Sequence, residues 1–268
     1  MITLLNGESW GKEEIITQMY DDDFYFNILG VDKALSTSSL SKLLDSPEDF
    51  LRYLKGKQQK ESEALRMGKL VHWAYLEPQK FYSLKFVDTD RTNSKAFTEA
   101  VKEHGPGKVF KEKEQRIAEY YIDRLNNKER LKEIRKGCEL EVPMIKELLG
   151  IPIRGKADMI NEGCLYDLKT TRVNPSAFNW WKVRDMNYDL QAFIYCQLFE
   201  RDYFAWIPVN KMNGRVGLRY ASKELIESGE EKFYKAIEIY KTKFQNKTIQ
   251  EIEDALSMEI DEGVINKP

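Results

Sequence analysis

The sequence predicts an α+β or mixed α/β domain, and the order of its predicted elements carries that prediction. The stretch 36–136 has a mainly helical pattern of apolar residues. Runs in which apolar and β-branched residues alternate with polar ones follow at 139–146, 151–160 and 164–171. Two more strands are predicted at 203–209 and 214–220. Helices that precede a mostly antiparallel sheet interrupted by helices are typical of this fold class.

The individual helices are predicted from N-cap residues and from the spacing of apolar side chains. They cover 36–44, 47–54, 62–76, 95–104, 112–136, 175–182, 187–200 and 222–245. The serine-rich cluster 36–39 caps the first helix, and Pro78 ends the helix at 62–76. A short strand is also predicted at Phe86-Val87.

The pattern divides the 268 residues into three parts. Residues 1–35 look irregular, with several aromatics and an acidic run at 21–23, and we expect an N-terminal arm. Residues 36–247 form the main folded domain. Residues 248–268 are acidic and lack strong periodicity, so we expect a tail that is flexible or docks on a neighbour.

Composition and charge exclude several classes of protein. The net charge is only −2, so any nucleic-acid binding must use a local basic surface. The three cysteines, Cys138, Cys164 and Cys196, lack CxxC spacing, which argues against a disulfide framework and against cysteine-only zinc or iron–sulfur sites. No apolar run approaches about 18 residues, and no signal-peptide pattern opens the chain. We therefore expect a soluble, cytoplasmic protein without membrane contact.

The segment 153–169 is typical of a β-hairpin, because the turn signal Asn-Glu-Gly at 161–163 separates two alternating runs. If the turn residues are Glu162 and Gly163, antiparallel partners have residue numbers with a constant sum, and Asp158 faces Asp167. The hairpin is then expected to have one wholly polar face and one face built for a core.

The polar face is predicted to carry Arg154, Lys156, Asp158, Asp167, Lys169 and Thr171. The core face is predicted to carry Ala157, Met159, Tyr166 and Leu168. Carboxylates that face each other across two strands repel, and a divalent cation bound by hard oxygen ligands would compensate. Two acidic residues and a lysine that holds or activates water are the minimal set for metal-assisted phosphodiester hydrolysis. The alternative is a solvated sheet face whose acids pair with Lys156 and Lys169.

Three further side chains are candidates, each with a structural alternative. His72 lies on the predicted helix 62–76, where a single histidine is usually packed or on the surface. Gln191 and Tyr195 stand four residues apart and share one helix face, so both point at the acid cluster or belong to an ordinary helix. Glu139 and Glu141 share one face of the preceding strand, and we expect both to be solvated, with assistance to a metal as the alternative.

The ordered set of these motifs resembles a known family. A helix with Gly68 and His72 is followed by Gly155-x-x-Asp158, then Asp167-x-Lys169-Thr170, then Gln191-x-x-x-Tyr195. This order is similar to that of the PD-(D/E)XK nuclease superfamily, in its RecB-like branch. Within that branch it most resembles the exonuclease VIII (RecE-type) group of phages and prophages, over roughly residues 35–245.

The resemblance implies a fold and a set of roles. The fold would be a restriction-endonuclease-like core, a central mixed β-sheet flanked by helices, with an N-terminal helical region, and 36–247 would be the nuclease domain. Asp158, Asp167 and the Leu168 carbonyl would bind one or two Mg²⁺ or Mn²⁺ ions. His72 would complete a second metal position, and Lys169 would orient or activate the attacking water.

In the same resemblance, Gln191, Tyr195 and Thr170 would contact DNA near the cut. The implied activity is a metal-dependent exonuclease, 5′→3′ on linear duplex DNA, in a bacterial or phage-infected cytoplasm. Implied partners are a DNA end, a single-strand annealing or recombinase protein, and further copies of the chain, with a ring as one arrangement. The alternatives are a structure-specific endonuclease on the same fold and a catalytically inactive DNA-binding or assembly module.

Overall fold

The structure, a computed structural model of the protein, describes residues 1–56 and 62–258. Its first half contains β1 Ile2–Thr3, β2 Ser9–Trp10, α1 Lys12–Gln18, a π-helix Phe24–Ile28, β3 Leu35–Ser36, α2 Thr37–Asp45, α3 Pro47–Leu54, α4 Glu63–Leu76, α5 Pro78–Tyr82, β4 Lys85–Val87, α6 Lys95–His104, β5 Val109–Lys111, α7 Glu112–Asn126 and α8 Glu129–Lys136. Its second half contains β6 Glu139–Leu148, β7 Ile151–Ile160, β8 Cys164–Thr171, a 3₁₀ turn Pro175–Ala177, α9 Trp180–Asp185, α10 Tyr188–Phe199, β9 Tyr203–Asn210, β10 Arg219–Tyr220, α11 Lys223–Lys243 and α12 Ile249–Met258.

Within the described residues, a six-stranded mixed sheet lies between the helices. Its order is β10–β9–β8–β7–β3, and β6 pairs with the remaining edge of β7. The pairs β8–β9 and β3–β7 are parallel, and the other pairs of this sheet are antiparallel. The predicted mixed α/β fold with a central mixed sheet is confirmed.

The strands β7 and β8 separate soon after the turn that joins them. Met159 pairs with Tyr166 and Ile160 pairs with Leu165, which confirms the predicted hairpin register. Farther from the turn, the edge of β7 that pairs with β8 pairs with β3 instead. The opposite edge is not open to β3, because β6 pairs with it along the strand. The two strands therefore form a fork, which opens at the two predicted aspartates.

Helices cover both faces of the sheet, so the expectation of one wholly polar hairpin face is wrong. On the face that carries Asp167, Leu165 and Ile160 are buried in a core with α2, α3, α10 and α11. Ala157 belongs to this core too, whereas Met159, Tyr166 and Leu168 pack against α4, α7 and α8 on the other side. The reason is topological: β8 and β9 are parallel, so the chain between them must cross over, and α10 covers that face.

Three predicted elements differ from the structure. The helix predicted at 175–182 is a 3₁₀ turn, Pro175–Ala177, followed by the separate short helix α9, Trp180–Asp185. The helix predicted at 112–136 is two helices, α7 and α8, which meet at Asn127-Lys128. Asparagine is a poor helix former, and two asparagines stand at this junction. The strand predicted at 214–220 is reduced to β10, because Gly214, with a positive φ of 65°, closes the turn at 211–213 with a hydrogen bond to the Asn210 carbonyl.

Both predicted terminal segments contain packed structure. Ile15, Met19 and Leu29 of the N-terminal segment are buried with Ile145 of β6. Residues 248–258 include α12, which buries Ile252 against the main core. The last ten residues lie outside the described residues, and the division at 35 and 247 stays a prediction. No helix in the described ranges is long and apolar enough to cross a membrane.

Gly229 sets the distance between α10 and α11. A Cβ built there would lie 2.1 Å from the Asp189 backbone oxygen, and backbone cannot move aside as a flexible side chain does. We expect Gly229→Ala to lower the free energy of unfolding by about 2–3 kcal/mol, despite the better helix propensity of alanine. Urea denaturation would measure this, with Gly137→Ala as the control, whose Cβ meets only ordinary contacts at 3.6 and 3.8 Å. Equal stability of the two variants would contradict the close approach.

Candidate active site

His72 reaches the fork from α4. This helix lies close to β8 because Gly68 leaves room: a Cβ there would lie 3.2 Å from Thr170 Oγ1. One turn later, His72 Nε2 lies 2.7 Å from the Leu168 carbonyl oxygen, and since a carbonyl only accepts, Nε2 donates this hydrogen bond. Nδ1 then faces Asp158 Oδ2 at 3.5 Å. The imidazole therefore contacts both arms of the fork.

Glu141 joins His72 and Asp158 in one compact group. A ligand atom from each of these three side chains lies within 4.8 Å of the other two. Glu141 has a left-handed φ of 52°, and the β6–β7 pairing skips this position. A left-handed backbone costs a non-glycine residue about 1–2 kcal/mol, so its neighbours must hold it in place. The expectation that Glu141 is solvated is wrong, whereas Glu139 is exposed as expected.

Negative charge is crowded at this group. Burial, and then the charge of Asp167, raise the pKa of Asp158 well above its usual value. Burial and the charge of Asp158 raise the pKa of Glu141 to about 8. Burial also lowers the pKa of His72, so the ring tends to be neutral and its Nδ1 lone pair is free to bind a cation. Lys156, 3.6 Å from Glu141, offsets only part of this negative charge, and a bound cation would offset more of it.

Asp167 lies on the α10 side of the fork. Its Oδ1 accepts a hydrogen bond of 2.7 Å from Gln191 Nε2, and Lys169 Nζ lies 2.9 Å from Oδ2. Lys169 Nζ donates its hydrogen bond to Oδ1 at 3.1 Å, so Oδ2 is buried beside the ammonium group without a hydrogen-bond donor of its own. Lys169 also lies over the Tyr188 ring, 4.7 Å from its centroid. Although burial favours a neutral amine, Asp167 and Tyr188 raise the pKa of Lys169 and keep it charged.

These residues fit a divalent cation. Carboxylate oxygens and a carbonyl are the ligands preferred by Mg²⁺ and Mn²⁺, and an imidazole nitrogen is a ligand for Mn²⁺. The unsatisfied Oδ2 of Asp167 is a further oxygen that a cation would stabilise. The compact group contains Glu141 and not Asp167, so the predicted ligand set of His72, Asp158, Asp167 and Leu168 lacks one member that the geometry offers.

Gln191, Tyr195 and Thr170 lie at the site, but two of them are engaged within the protein. Gln191 is buried and holds Asp167. Tyr195 is buried against β7, where its hydroxyl donates to the Lys156 carbonyl at 3.2 Å. Thr170 lies beside Gly68 and lines the cleft. Their contact with DNA stays a prediction, and the geometry gives Gln191 a role in fixing Asp167.

A cleft of about 1810 Å³ opens at the fork, and the N-terminal segment forms part of its wall. Asp22 accepts from Lys156 Nζ at 2.8 Å and pairs with Lys80. Lys156 is also 3.6 Å from Glu141. Arg154, buried on β7, donates to the Tyr25 carbonyl and lies over that ring. The segment predicted to be an arm is therefore fixed to β7 by charged side chains.

The family model for a PDDEXK-like domain of unknown function (DUF3799) matches residues 36–253. The chain belongs to this PDDEXK-like family. A crystal structure of a candidate exonuclease from Eubacterium rectale aligns with a TM-score of 0.56, covering 97% of each chain at 16% identity. At that identity the likeness shows the fold alone. The alignment with the crystal structure of SSO0001 covers 70% of this chain and 86% of that chain at 14% identity. Its TM-score of 0.29 is too low to carry an argument. No curated protein matches the chain by sequence.

Sequence reasoning missed Tyr188 and Asp22 at this PDDEXK-like site, and it gave a metal-binding role for Glu141 only as the alternative. The position of Glu141 could be predicted only if its left-handed backbone were known, and no sequence pattern indicates that conformation on a strand. Tyr188 precedes the Gln191 motif by less than one turn, and its ring position depends on how α9 meets α10. Asp22 lies in the acidic run of the segment predicted to be an arm, although the excess of lysine on the polar strand was a signal that acidic partners were needed.

Proposed function

We propose that this PDDEXK-like protein is a divalent-metal-dependent deoxyribonuclease that hydrolyses phosphodiester bonds. The observation that carries the proposal is the compact group of His72, Glu141 and Asp158 beside the charged amine of Lys169, in the wall of one cleft. The finer proposal is an exonuclease that acts 5′→3′ on linear duplex DNA and leaves single strands for recombination. It is supported by the likeness of the motif order to the exonuclease VIII group.

The metal would be Mg²⁺ or Mn²⁺, as one or two ions. Asp158, Glu141 and His72 would hold it, with the Leu168 carbonyl and Asp167 adjacent. When bound, such an ion lowers the pKa of a bound water and stabilises charge on phosphoryl oxygens.

The protein residues contribute positioning and charge. Lys169 is held by Asp167 and by the Tyr188 ring, so its ammonium group is fixed where it can orient water and stabilise the charge that builds on the phosphorus oxygens. Gln191 fixes Asp167 with a second hydrogen bond to Oδ1. His72 is oriented by its bond to the Leu168 carbonyl, which leaves Nδ1 toward the acids. Each group at the reacting centre therefore has a partner that sets its orientation.

End-labelled linear duplex and covalently closed circular duplex, each incubated with Mg²⁺, Mn²⁺ or EDTA, would test the proposal. We expect the linear duplex to be degraded only with a divalent ion and the closed circle to survive. Label at the 5′ end should be released first if the direction is 5′→3′. Cleavage of the closed circle would instead support the endonuclease alternative.

Asp158→Asn and Glu139→Gln make a matched pair for this assay, since each removes one carboxylate and only Asp158 belongs to the compact group. We expect Asp158→Asn to abolish cleavage and Glu139→Gln to retain it. No cleavage by the wild-type protein with either ion would reject the enzyme and leave the DNA-binding or assembly module. A homo-oligomer or ring and an annealing or recombinase partner stay predictions.

A further inference from the structure

A second, smaller cavity lies beside the cleft. Its volume is about 270 Å³, and its lining consists of Arg124, Lys128, Asn174, Pro175, Ser176, Arg215, Val216 and Arg219. Four of these eight side chains are cationic, and none is acidic. The net charge of the chain is −2, so this is a local concentration of positive charge. An electropositive concavity of this kind attracts anions.

The cationic side chains of this cavity are not neutralised by acidic residues in the part of the chain that the structure describes. Among the described residues, none of the four forms an ion pair, whereas the cleft lysines Lys156 and Lys169 both do. Arg124 Nε is 3.4 Å from the Gly214 carbonyl, and Arg219 Nε donates to the Pro175 carbonyl at 2.9 Å. Those bonds orient the guanidinium groups without neutralising them, so their charge stays available to a ligand.

Two segments of the chain line both the cleft and the small cavity. Residues 171–173 line the cleft and residues 174–176 line the cavity. Lys211 lines the cleft and Arg215, in the same turn, lines the cavity. Arg172 and Lys211 also have no ion pair among the described residues. We name as the basic track Arg124, Lys128, Arg172, Lys211, Arg215 and Arg219.

Asn210 fixes the two segments that carry the track. It is buried, and its side-chain amide donates to the Arg172 carbonyl at 3.2 Å and to Asn174 Oδ1 at 3.3 Å. Its oxygen accepts from the Met212 backbone at 2.7 Å. From α7, the Tyr121 hydroxyl donates to the Lys211 carbonyl at 2.6 Å. The cations therefore stand on a preformed scaffold, which lowers the entropic cost of binding a ligand.

We propose that the basic track binds the phosphodiester backbone of a single DNA strand that continues from the catalytic cleft. The inference rests on the proposed function, and it adds where the strand runs beyond the site of cleavage. One free phosphate engages only a few donors, whereas six cations along a path match a polyanion. A cavity near the lower limit of drug-sized pockets, which is about 300 Å³, suits the sugar and phosphate of one strand.

The test compares Arg124→Gln/Lys128→Gln/Arg215→Gln with a control of equal charge loss, Lys12→Gln/Lys223→Gln/Lys235→Gln, at exposed lysines that line neither cavity. The probe is a fluorescent duplex with a long single-stranded tail, bound in EDTA and titrated by anisotropy across salt concentrations. We expect the dependence of log K on log salt to become shallower by about 0.7 per lost contact, or about 2 for the track variant. The control variant should keep the wild-type slope.

Failure of this inference is separable from failure of the proposed function. Asp158→Asn should lose cleavage but keep the wild-type salt slope, because Asp158 is not in the track. The same slope for the track variant, the control variant and the wild type would overturn the inference, even if all three proteins cleave DNA. A shallower slope in the track variant of a protein that never cleaves would support the track and reject the nuclease.

Discussion

Replacing Lys169 by alanine is expected to lower the single-turnover rate of DNA cleavage by about 10²–10³-fold, the usual cost of losing one preorganised donor at a reacting centre. Lys169 is not in the compact group of potential ligands, so divalent-cation binding should be nearly unchanged. The amine is charged and held by Asp167 and Tyr188, and Lys156, the lysine on the other arm of the fork, is engaged with Asp22 and Glu141.

Two measurements separate this role from a structural one. A calorimetric titration with Mn²⁺ should give the same stoichiometry and similar affinity for wild type and Lys169→Ala. Lys169→Arg keeps the charge but not the compact ammonium geometry, so it should recover only part of the rate. Lys235→Ala, a loss of an exposed lysine on α11, is the control and should cleave normally. A Lys169→Ala protein with the wild-type single-turnover rate would remove this lysine from the mechanism.

The parts of the site that were predictable are those set by local signals. The Asn-Glu-Gly turn fixes which residues of β7 and β8 pair, and a period of two then places Asp167 and Lys169 on one face. The helix with His72 follows from its spacing and from Pro78, and the described helix ends close to the predicted limit. Turn chemistry and side-chain alternation need no knowledge of the rest of the chain.

The parts that were not predictable depend on distant pairings. The insertion of β3 against β7 opens the fork, and nothing near Leu35-Ser36 in the sequence indicates this parallel pair. The crossover through α10 buries the face that a hairpin alone would expose, and it brings Gln191 to Asp167. The placement of Asp22 depends on a separate N-terminal core. Each of these contacts joins residues far apart in sequence, which pattern and propensity do not encode.

The two aspartates of the fork, equivalent by sequence, have different surroundings. If the two carboxylates only faced each other, neutralising either one would stabilise the folded protein. In the structure, Asp167 is compensated by Lys169 and Gln191, whereas Asp158 has Glu141 and a neutral histidine as neighbours. The Leu168 backbone N–H, at 2.7 Å, is the one hydrogen-bond donor to Asp158 among the described contacts, and it offsets little of the repulsion.

Asparagine substitutions at the two positions are therefore expected to have opposite effects in metal-free buffer. Asp158→Asn should raise the free energy of unfolding by about 1 kcal/mol, or the midpoint by about 2–4 °C, because it removes one crowded charge. The asparagine oxygen can still accept from the Leu168 N–H. Asp167→Asn should lower stability by about 2 kcal/mol, because it leaves the half-buried ammonium of Lys169 without its counter-ion.

Addition of a divalent ion should reverse the order of stability of wild type and Asp158→Asn. Binding to the folded protein alone adds stability by mass action, so wild type should gain on addition of Mn²⁺, while Asp158→Asn, with one ligand carboxylate lost, should gain little. Urea unfolding of wild type, of both variants and of the control Glu139→Gln, each with EDTA and then with Mn²⁺, makes these comparisons. Shifts of the same sign for Asp158→Asn and Asp167→Asn in EDTA would show that the two carboxylates share one environment. In that case the assignment of Asp158 to the cation and of Asp167 to the lysine would be wrong.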